Sequence, residues 1–414
     1  MTVDGGRETA EAPRAERHTP VRRFYLYLCF ENFQPWIPIW VVYLQVQRGL
    51  SLTEIMALEA VYQAVLVAAE VPTGAVADRW GRKFSLLLGS TGYVLAILLF
   101  GLADGFGPVL VAYVAWAVAM TLRSGADTAF LYDTLAAAGR AVEFSRAYGR
   151  GRAVWIAAGL AAGLLGAPLA DATSLQVPVL AGAAFAGGAF LVVLTFREPP
   201  REGTAARPSY LATLREAAGL AWWRRDVGLM LVMVALLQGA ATTAHIFSQP
   251  FLAGHGVPVG AFGLLVMPAW LVSIAGSLAS HRLAGRFGER AVVYGVAAGV
   301  TAAFLVLGGV PSLLAFAMFP VVSFCAAAFY PVHQDYLGRH APQHLRATML
   351  SMASAGSALL MAGAAPLLGL AADEGSLRTA FLAGGAVLGT LAAATLAAWT
   401  AASRREREAV LTEA

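Results

Sequence analysis

Two carboxyl groups stand within long apolar runs of this sequence, where an ionised side chain is costly. Glu31 is followed within one helical turn by Gln34, and Glu70 lies in the next apolar run. A charge at the centre of a bilayer costs roughly 2.5–3.5 kcal/mol, so each carboxyl group there needs a reason. Removal from water favours the neutral form, so these groups are candidates for reversible protonation. The alternative for each is a structural hydrogen bond or ion pair.

Other polar side chains are also embedded in apolar runs. Arg123 and Asp127 are four residues apart, a spacing that allows an ion pair along one helix. A shift of 207 residues places Gln238 at the position equivalent to Glu31. His245 follows on the same run as Gln238, and it is either a packing residue or a functional one. These side chains join Glu31, Gln34 and Glu70 as candidates for proton coupling and substrate binding.

The elements that carry these residues are predicted to be membrane helices. Of the 414 residues, 58% are hydrophobic and 13% are charged, whereas soluble domains carry about 25% charged residues. The apolar runs exceed the roughly 18 residues that mark a spanning helix. The sequence therefore predicts an all-α polytopic membrane protein with twelve spans, at residues 22–46, 53–77, 84–102, 108–132, 150–170, 174–196, 227–252, 258–281, 291–310, 311–334, 346–370 and 377–401. Pro35 and Pro38 are expected to kink the first span.

Breaks in the apolar pattern divide the chain into five segments. A polar cytoplasmic tail is predicted at 1–21 and a six-helix bundle at 22–196. A segment rich in Arg, Pro and Glu at 197–226 is predicted to be a cytoplasmic linker. A second six-helix bundle follows at 227–401, and a cytoplasmic tail at 402–414 ends the chain.

The distribution of basic residues predicts the orientation. With both termini inside, 26 of the 29 Lys and Arg residues fall in the tails, the linker or the inner loops, and only Arg48 and Arg378 fall outside. This bias predicts cytoplasmic termini by the positive-inside rule. The net charge of +4 is then a topology signal and not a sign of a nucleic-acid partner. The predominance of Arg over Lys fits a bacterial inner-membrane protein.

The two halves appear as repeats of one pattern. The 207-residue shift places Gly101 on Gly308, and it places the triplet 79–81 on 286–288. Towards the end of the fourth span the shift falls to about 202, which brings Asp133 onto Asp335. Two pseudo-symmetric six-helix bundles are therefore expected.

A charged stretch between the second and third runs reads GAVADRWGRK, and it is predicted to form a tight turn on one face of the bilayer. It resembles the signature loop of the major facilitator superfamily, G-x-x-x-D-R-x-G-R-K, and every specified position matches. The matching residues are Gly74, Asp78, Arg79, Gly81, Arg82 and Lys83. The resemblance implies two bundles that alternate in opening, with the substrate site at their interface near the midplane.

The resemblance also implies a latch between the bundles. Asp78 is expected against the N-terminus of the eleventh helix, whose free N–H groups favour an anion. Arg82 is expected to reach Asp133 or Asp127 at the inner end of the fourth helix. Asp335 is expected to be a latch residue of the second half. Family members often carry an Arg in the fourth helix that is linked to proton coupling, a role that Arg123 could take in place of pairing with Asp127.

The fifth apolar run bears on the direction of transport. Its stretch GLAAGLLGAP at 159–168 loosely resembles the glycine-proline signature of drug–proton antiporters. The expected function is therefore proton-coupled efflux of an amphiphilic organic molecule, and the alternatives are an uptake symporter or uniporter, or a lipid flippase of the same fold. No zinc motif, nucleophile elbow or phosphate loop is present in the sequence, so an enzyme is not expected. Neither is a cofactor, and a monomer is expected.

Overall fold

The protein is described by a computed structural model that covers residues 14–200 and 210–413, with side chains described within 20–200 and 213–404. The described residues form helices and turns, and they contain no strand. Eleven helical segments among them are long and apolar enough to cross a membrane. The broken first span accompanies them as a twelfth helical segment; its first piece, Arg14–Asn32, is as long as Gln176–Leu194 but carries more charged residues.

The first half contains six spans. Their bounds are α1 (Arg14–Asn32, continued by Trp40–Val42 and Tyr43–Gln47), α2 (Leu52–Trp80), α3 (Arg82–Leu102), α4 (Phe106–Arg123, then Ala126–Ala137), α5 (Phe144–Ala172) and α6 (Gln176–Leu194). The break in α1 falls at the predicted prolines, Pro35 and Pro38, since Pro lacks the N–H group that a helix needs.

The second half repeats this order after a linker helix, Tyr210–Trp223. Its spans are α7 (Arg225–Gly254), α8 (Phe262–Val266, then Pro268–Phe287), α9 (Glu289–Gly309), α10 (Met318–His340), α11 (Arg346–Glu374) and α12 (Leu377–Glu413). All twelve predicted spans coincide with these helices, including the predicted boundary between α9 and α10.

The structure corrects the expected turn between the second and third spans. Helix α2 continues past Pro72 and Gly74 and through the charged stretch to Trp80, because the residues from Ala75 to Trp80 are all compatible with a helix. Gly81 alone makes the turn, with φ of 111° and ψ of 159°, and α3 begins at Arg82. The expected ten-residue turn is therefore a single glycine.

Glycines at equivalent positions confirm that the halves are pseudo-symmetric. Gly81 and Gly288 have φ of 111° and 84°, and they join α2 to α3 and α8 to α9. Gly49 and Gly256 have φ of 67° and 72° in the first turn of each half. Both pairs are separated by 207 residues, and each needs a backbone conformation that favours glycine.

A second structural repeat supports the same relation. The Gln176 side chain donates a 2.7 Å hydrogen bond to the carbonyl of Gly101. The Arg378 side chain donates a 2.9 Å bond to the carbonyl of Gly308. In each half, the first turn of the last span thus caps the end of the third.

Contacts between helices define two bundles and two seams. In the first bundle, α3 packs on α4 and α6, and α1 packs on α5 and α6; in the second, α9 packs on α12 and α8 on α10. The seams between the bundles are α2 against α11 and α5 against the start of α8. The face that carries Gly81 and Gly288 is termed the inner face, and the opposite face the outer face.

The bundles meet closely in the outer half of the seams. A Cβ atom added at Gly263 of α8 would lie 2.4 Å from the Gly163 carbonyl oxygen of α5, and one added at Gly369 of α11 would lie 2.6 Å from Thr53 Cα of α2. Small residues of this kind let membrane helices approach closely. The outer face is therefore closed.

Candidate functional site

An ion pair inside the first bundle forms the centre of the site. Arg123 Nη1 of α4 lies 3.4 Å from Glu31 Oε1 of α1, and both side chains are largely shielded from solvent. Arg123 ends the first part of α4, because the following Gly125 has φ of 76° and breaks the helix. The guanidinium also lies 4.2 Å from the centre of the Tyr93 ring, which adds a cation–π contact.

The alternative in which Arg123 pairs with Asp127 along one helix is wrong. The break at Gly125 separates the two residues into different helical segments. Asp127 Oδ1 instead accepts hydrogen bonds from the backbone N–H and the hydroxyl of Thr128, at 2.6 and 3.2 Å. Spacing alone predicted a continuous helix here, and the positive φ of Gly125 prevents it.

Trp155 of α5 fixes the second oxygen of the Glu31 carboxyl group. Its indole Nε1 donates to Glu31 Oε2 at 2.7 Å. The Asn32 side chain donates to the Trp155 carbonyl at 2.7 Å, which ties α1 to α5 at the same level. Gln34, the predicted neighbour, donates to the Glu31 backbone carbonyl at 3.2 Å and so belongs to the backbone around the site.

Stacked aromatic rings connect this site to the second bundle. The rings of Trp155 in α5 and Trp270 in α8 are nearly parallel, with centres 6.1 Å apart and an angle of 8° between planes. The Arg152 guanidinium lies 4.0 Å from the centre of the Trp155 ring. Glu31 is thus linked through one indole group to a helix of the opposite bundle.

A cavity of about 280 Å³ opens beside the ion pair. Its lining comes from α1, α4 and α5, and it includes Glu31, Arg123, Asp127, Arg152 and Trp155. Four of these five side chains can carry a charge. The first bundle therefore places these ionisable groups around one cavity, which is large enough for several water molecules.

Two further cavities lie against the second bundle. One of about 280 Å³ is lined from α2, α7, α10 and α11, and another of about 520 Å³ from α7, α8 and α10. Both include Gln238, Thr242 and Tyr330, so they adjoin along α7 and α10. The structure places the predicted residues Gln238 and His245 here, away from Glu31.

Glu70 does not join either group. It lies in the inner half of α2 and its side chain is exposed. Within the described residues, its carboxyl group takes part in no hydrogen bond or ion pair, although its backbone carbonyl accepts one from Thr73. The structure therefore brings together Glu31 and Arg123 but leaves Glu70 apart.

The inner face carries the charged residues that were predicted to form a latch. Arg82 Nη1 lies 2.8 Å from Asp78 Oδ1, and Arg82 Nε lies 3.7 Å from Asp133 Oδ2 at the end of α4. Arg82 thus contacts Asp133 and not Asp127, the other predicted partner. Both of these ion pairs lie within the first bundle.

The second bundle holds a similar cluster with its charges exchanged. Arg339 of α10 contacts Glu289 at the start of α9, at 2.7 Å, and Asp335 at 2.9 Å. The repeat relates Glu289 to Arg82 and Asp335 to Asp133, and Arg339 lies one helical turn after Asp335. In each bundle, an ion pair therefore joins the start of the third span to the inner end of the fourth. The basic residue lies on the third span in the first bundle and on the fourth span in the second.

The remaining residues of the charged stretch position α3 and its turn. The backbone N–H groups of Arg82 and Lys83 donate to the Glu198 carboxylate at 2.7 and 2.8 Å, an acidic cap at a helix N-terminus. The Lys83 ammonium donates to the Leu194 carbonyl at 3.1 Å. Arg79 is exposed in the last turn of α2.

Gly74 has no close neighbour in this conformation. Nothing lies within 4 Å of the position that its Cβ would take. Glycine would allow another helix to approach closely at this point, but in this conformation the bundles touch tightly at the outer face instead.

Sequence analysis did not single out several residues that complete these sites. Tyr93 and Trp155 are two of many aromatic residues, and only their contacts distinguish them. Glu198 lies two residues after the predicted sixth span, which ends at 196. This position beside a span end is the one sequence feature that could have suggested a helix cap. Gln249 and Asp373 join the bundles at the outer face, as described below, and nothing in their local sequence indicates the partner helix.

Comparisons with known proteins agree with this architecture. The family described as Major Facilitator Superfamily matches residues 24–319 and 230–413. The chain belongs to the Major Facilitator Superfamily. Members of this superfamily are transporters and not enzymes, so the chain is a multi-pass transporter of a small molecule.

Individual relatives of this superfamily member are distant. The chain is 31% identical over 88 residues to the "Uncharacterized MFS-type transporter YxaM" of Bacillus subtilis (strain 168), a match that spans 21% of the chain and 22% of that protein. Solved structures match over nearly the whole chain. The nucleoside transporter NupG has a TM-score of 0.78 at 16% identity, covering 92% of this chain and 98% of its own.

Two other solved structures share the fold. An inward-facing, unoccupied bacterial homologue of the lysosomal transporter Spinster has a TM-score of 0.72 at 19% identity, covering 95% of this chain and 98% of its own. A D-xylose-proton symporter has a TM-score of 0.68 at 16% identity, covering 94% and 98%. At these identities, the similarity shows that this superfamily member shares the fold of these proteins. Its substrate has to be inferred from the residues of the candidate site.

Proposed function

We propose that the chain is a proton-coupled secondary transporter that works by alternating access, with Glu31 as the group that carries the coupling proton. The observation that carries the proposal is the ion pair of Glu31 with Arg123 beside a cavity of about 280 Å³. Ionisable residues within membrane helices commonly mark proton or substrate pathways, and here both partners are present.

The contacts of Glu31 suggest how the proton is coupled to movement. The Glu31 carboxyl group accepts a hydrogen bond from the Trp155 indole and lies beside the Arg123 guanidinium. Protonation removes the charge that Arg123 faces and weakens the Trp155 bond. Because Trp155 stacks on Trp270 of the other bundle, the change reaches the α5–α8 seam, where the bundles must separate during transport.

The proposed direction is export, with the cell orientation predicted from the basic residues. The glycines of the antiporter-like stretch lie in the seam between α5 and α8. Gly163 faces Met267, and Gly159 faces Trp270. An exporter closes this seam while it loads substrate from the inside. With termini in the cytoplasm, the closed outer face corresponds to the state in which an exporter loads its substrate.

Proton flux in liposomes tests this function. Purified protein is reconstituted with a pH-sensitive dye inside, and cationic, zwitterionic and neutral organic compounds are added outside. For an antiporter, entry of a substrate expels protons and the lumen becomes more alkaline; a symporter makes the lumen more acidic. The sign of the change therefore reports the mode of coupling.

The variant Glu31→Gln is expected to abolish this flux, since glutamine keeps the shape of the protonated side chain and cannot release a proton. Gln47→Leu, on the outer end of α1, is the control and should behave as the native protein. Transport of a compound with no change in lumen pH, or undiminished proton flux in Glu31→Gln, would contradict the proposal.

A further inference from the structure

Among the described residues, no formally charged side chain lines the cavities on the second bundle. The described lining of the two spaces of about 280 and 520 Å³ includes no Asp, Glu, Lys or Arg. Their polar groups are amides, hydroxyls and imidazoles, chiefly Gln63, Gln238, Thr242, His245, Tyr330 and Gln334. A substrate with a fixed charge would lose hydration there and meet no counter-charge, which is costly.

Three hydroxyl groups that line these cavities use their hydrogens within their own helices. Those of Thr242, Ser273 and Ser323 donate to carbonyls of their own helices, at 3.1, 2.9 and 3.1 Å. A hydroxyl group has one hydrogen and two lone pairs, so each of these oxygens retains acceptor capacity for a bound molecule.

Donors stand beside these acceptors without partners of their own. Within the described residues, the side chains of Gln238, Gln334 and Tyr330 make no hydrogen bond, although all three line a cavity. Each amide offers two N–H donors and one acceptor, and the phenol offers one of each kind. A ligand group that both donates and accepts, such as an alcohol or an amide, satisfies a wall of this kind.

The cavity beside Glu31 in the first bundle is lined by charged groups, and these are largely bonded already. Glu31 and Arg123 form a pair, and Asp127 is bonded to Thr128. The first bundle therefore has the groups that handle a proton, and the second has those that hold a neutral polar molecule. The larger volume falls within the range of about 300–1,000 Å³ that is usual for small-molecule sites.

We infer that the substrate is an uncharged organic molecule with several hydroxyl or amide groups, bound against the wall formed by α7, α8, α10 and α11. This inference rests on the proposed function, and it refines the amphiphilic molecule expected from sequence. One consequence concerns charge. When the substrate is neutral, each coupled proton moves a net charge, so transport depends on the membrane potential. Exchange of one proton for one monovalent cation moves no net charge.

Binding to purified protein is the first test. The probes are uridine and xylose with related nucleosides, sugars and polyols as neutral compounds, tetraphenylphosphonium as a cation and benzoate as an anion. Stabilisation against heat by at least one neutral compound is expected. Stabilisation only by tetraphenylphosphonium or benzoate, or by no compound, overturns the inference.

Variants then locate the site. Gln238→Leu is expected to raise the half-saturating concentration of the neutral probe about tenfold, the factor that corresponds to one lost hydrogen bond. Gln47→Leu makes the same replacement outside the cavities and should leave it unchanged. Thr242→Val, which keeps the side-chain shape, provides the test if Gln238→Leu does not fold. Unchanged binding in the folded cavity variants overturns the assignment of this wall.

Liposome transport under a potassium diffusion potential separates this inference from the proposed function. Potential-dependent proton flux with the neutral probe supports both. Movement of the neutral probe without protons supports the substrate class and contradicts proton coupling. Proton-coupled, potential-independent movement of tetraphenylphosphonium supports coupling and overturns the substrate class.

Discussion

At the scale of single residues, Glu31 is defined by three neighbours from three helices. Arg123 supplies charge, Trp155 supplies a hydrogen bond to the second oxygen, and the Tyr93 ring packs against the Arg123 guanidinium. A carboxylate in such a setting has a polar partner for each oxygen, which a membrane interior requires. The sequence identified Glu31 as a candidate from its apolar surroundings, but the partners could not be read from it.

The Trp155 bond gives a prediction at this scale. Trp155→Phe keeps an aromatic ring against Trp270 but removes the indole N–H that faces Glu31. Loss of a hydrogen bond to a charged group, worth about 1.5–3 kcal/mol, is expected to reduce proton-driven transport at least about tenfold. The measurement is the initial rate of proton flux in liposomes.

Trp270→Phe is the matched control, because it also keeps two stacked rings and leaves the Trp155 N–H in place. Its rate should stay close to that of the native protein. An equal loss in both variants would show that indole stacking, and not the bond to Glu31, limits transport.

At the scale of elements, the turns between the second and third spans of each half depend on one glycine. Gly81 and Gly288 adopt φ of 111° and 84° with ψ of 159° and 151°, a region that is essentially open to glycine alone. Around each turn, an ion-pair cluster joins the third span to the fourth, through Arg82 in one half and Arg339 in the other. The turns therefore hold the inner face of each bundle together.

Alanine replacements distinguish the turn glycines from the glycine of the preceding helix. Gly81→Ala and Gly288→Ala are each expected to destabilise the protein by about 1–3 kcal/mol, because alanine is strained in this region. Gly74→Ala should be neutral or stabilise by up to about 1 kcal/mol, since Gly74 is helical and surrounded by open space. Thermal unfolding in detergent provides the measurement.

Transport by the Gly74→Ala protein tests the latch itself. If the opposite conformation brings a helix close to Gly74, this variant is stable but slow in transport, because the added methyl group occupies the space that the helix needs. Native transport rates would indicate that no close approach occurs at Gly74 during the cycle.

At the scale of the whole molecule, polar contacts between the bundles hold the outer face closed. Gln249 of α7 is fully buried and reaches into the break of α1, where it accepts from Val41 N–H and donates to the Ile37 carbonyl, both at 2.8 Å. Asp373 of α11 accepts from the N–H groups of Leu52 and Thr53 at 3.0 and 2.7 Å. These bonds must break when the outer face opens.

Removal of these contacts is expected to shift the population towards the outward-open state. Gln249→Leu and Asp373→Asn each weaken bonds that exist only while the outer face is closed. A loss of about 1.5–3 kcal/mol changes the ratio of the two states by roughly 10- to 100-fold. The expected result is a longer distance across the outer face.

Spin-label distances measure this shift. Labels at Gln47→Cys and Val310→Cys report on the outer ends of the two bundles, in a protein that also carries Cys29→Ser and Cys325→Ser. Asp104→Asn is the control, since this outer carboxylate pairs with Arg48 inside the first bundle and should leave the distances unchanged. Unaltered distances in both gate variants would show that other contacts close the outer face.

The sequence by itself determined the helices and the family. Long apolar runs, the prolines of α1 and the charged stretch from Gly74 to Lys83 are local features, because helix formation in a membrane satisfies the backbone within each segment. The positions of Glu31, Gln238 and His245 in apolar runs were equally visible. These features sufficed to predict twelve spans in two related halves.

The tertiary structure alone decided which polar residues meet. From the sequence, Glu31 could have paired with several groups. Because the helix breaks at Gly125, Arg123 pairs with Glu31 and not with Asp127. Gln249 bonds the backbone of Ile37 across the bundles, a contact between residues more than two hundred positions apart. Such contacts depend on how whole helices pack, because a side chain finds its partner only after the helices have approached. Local spacing could not supply this information.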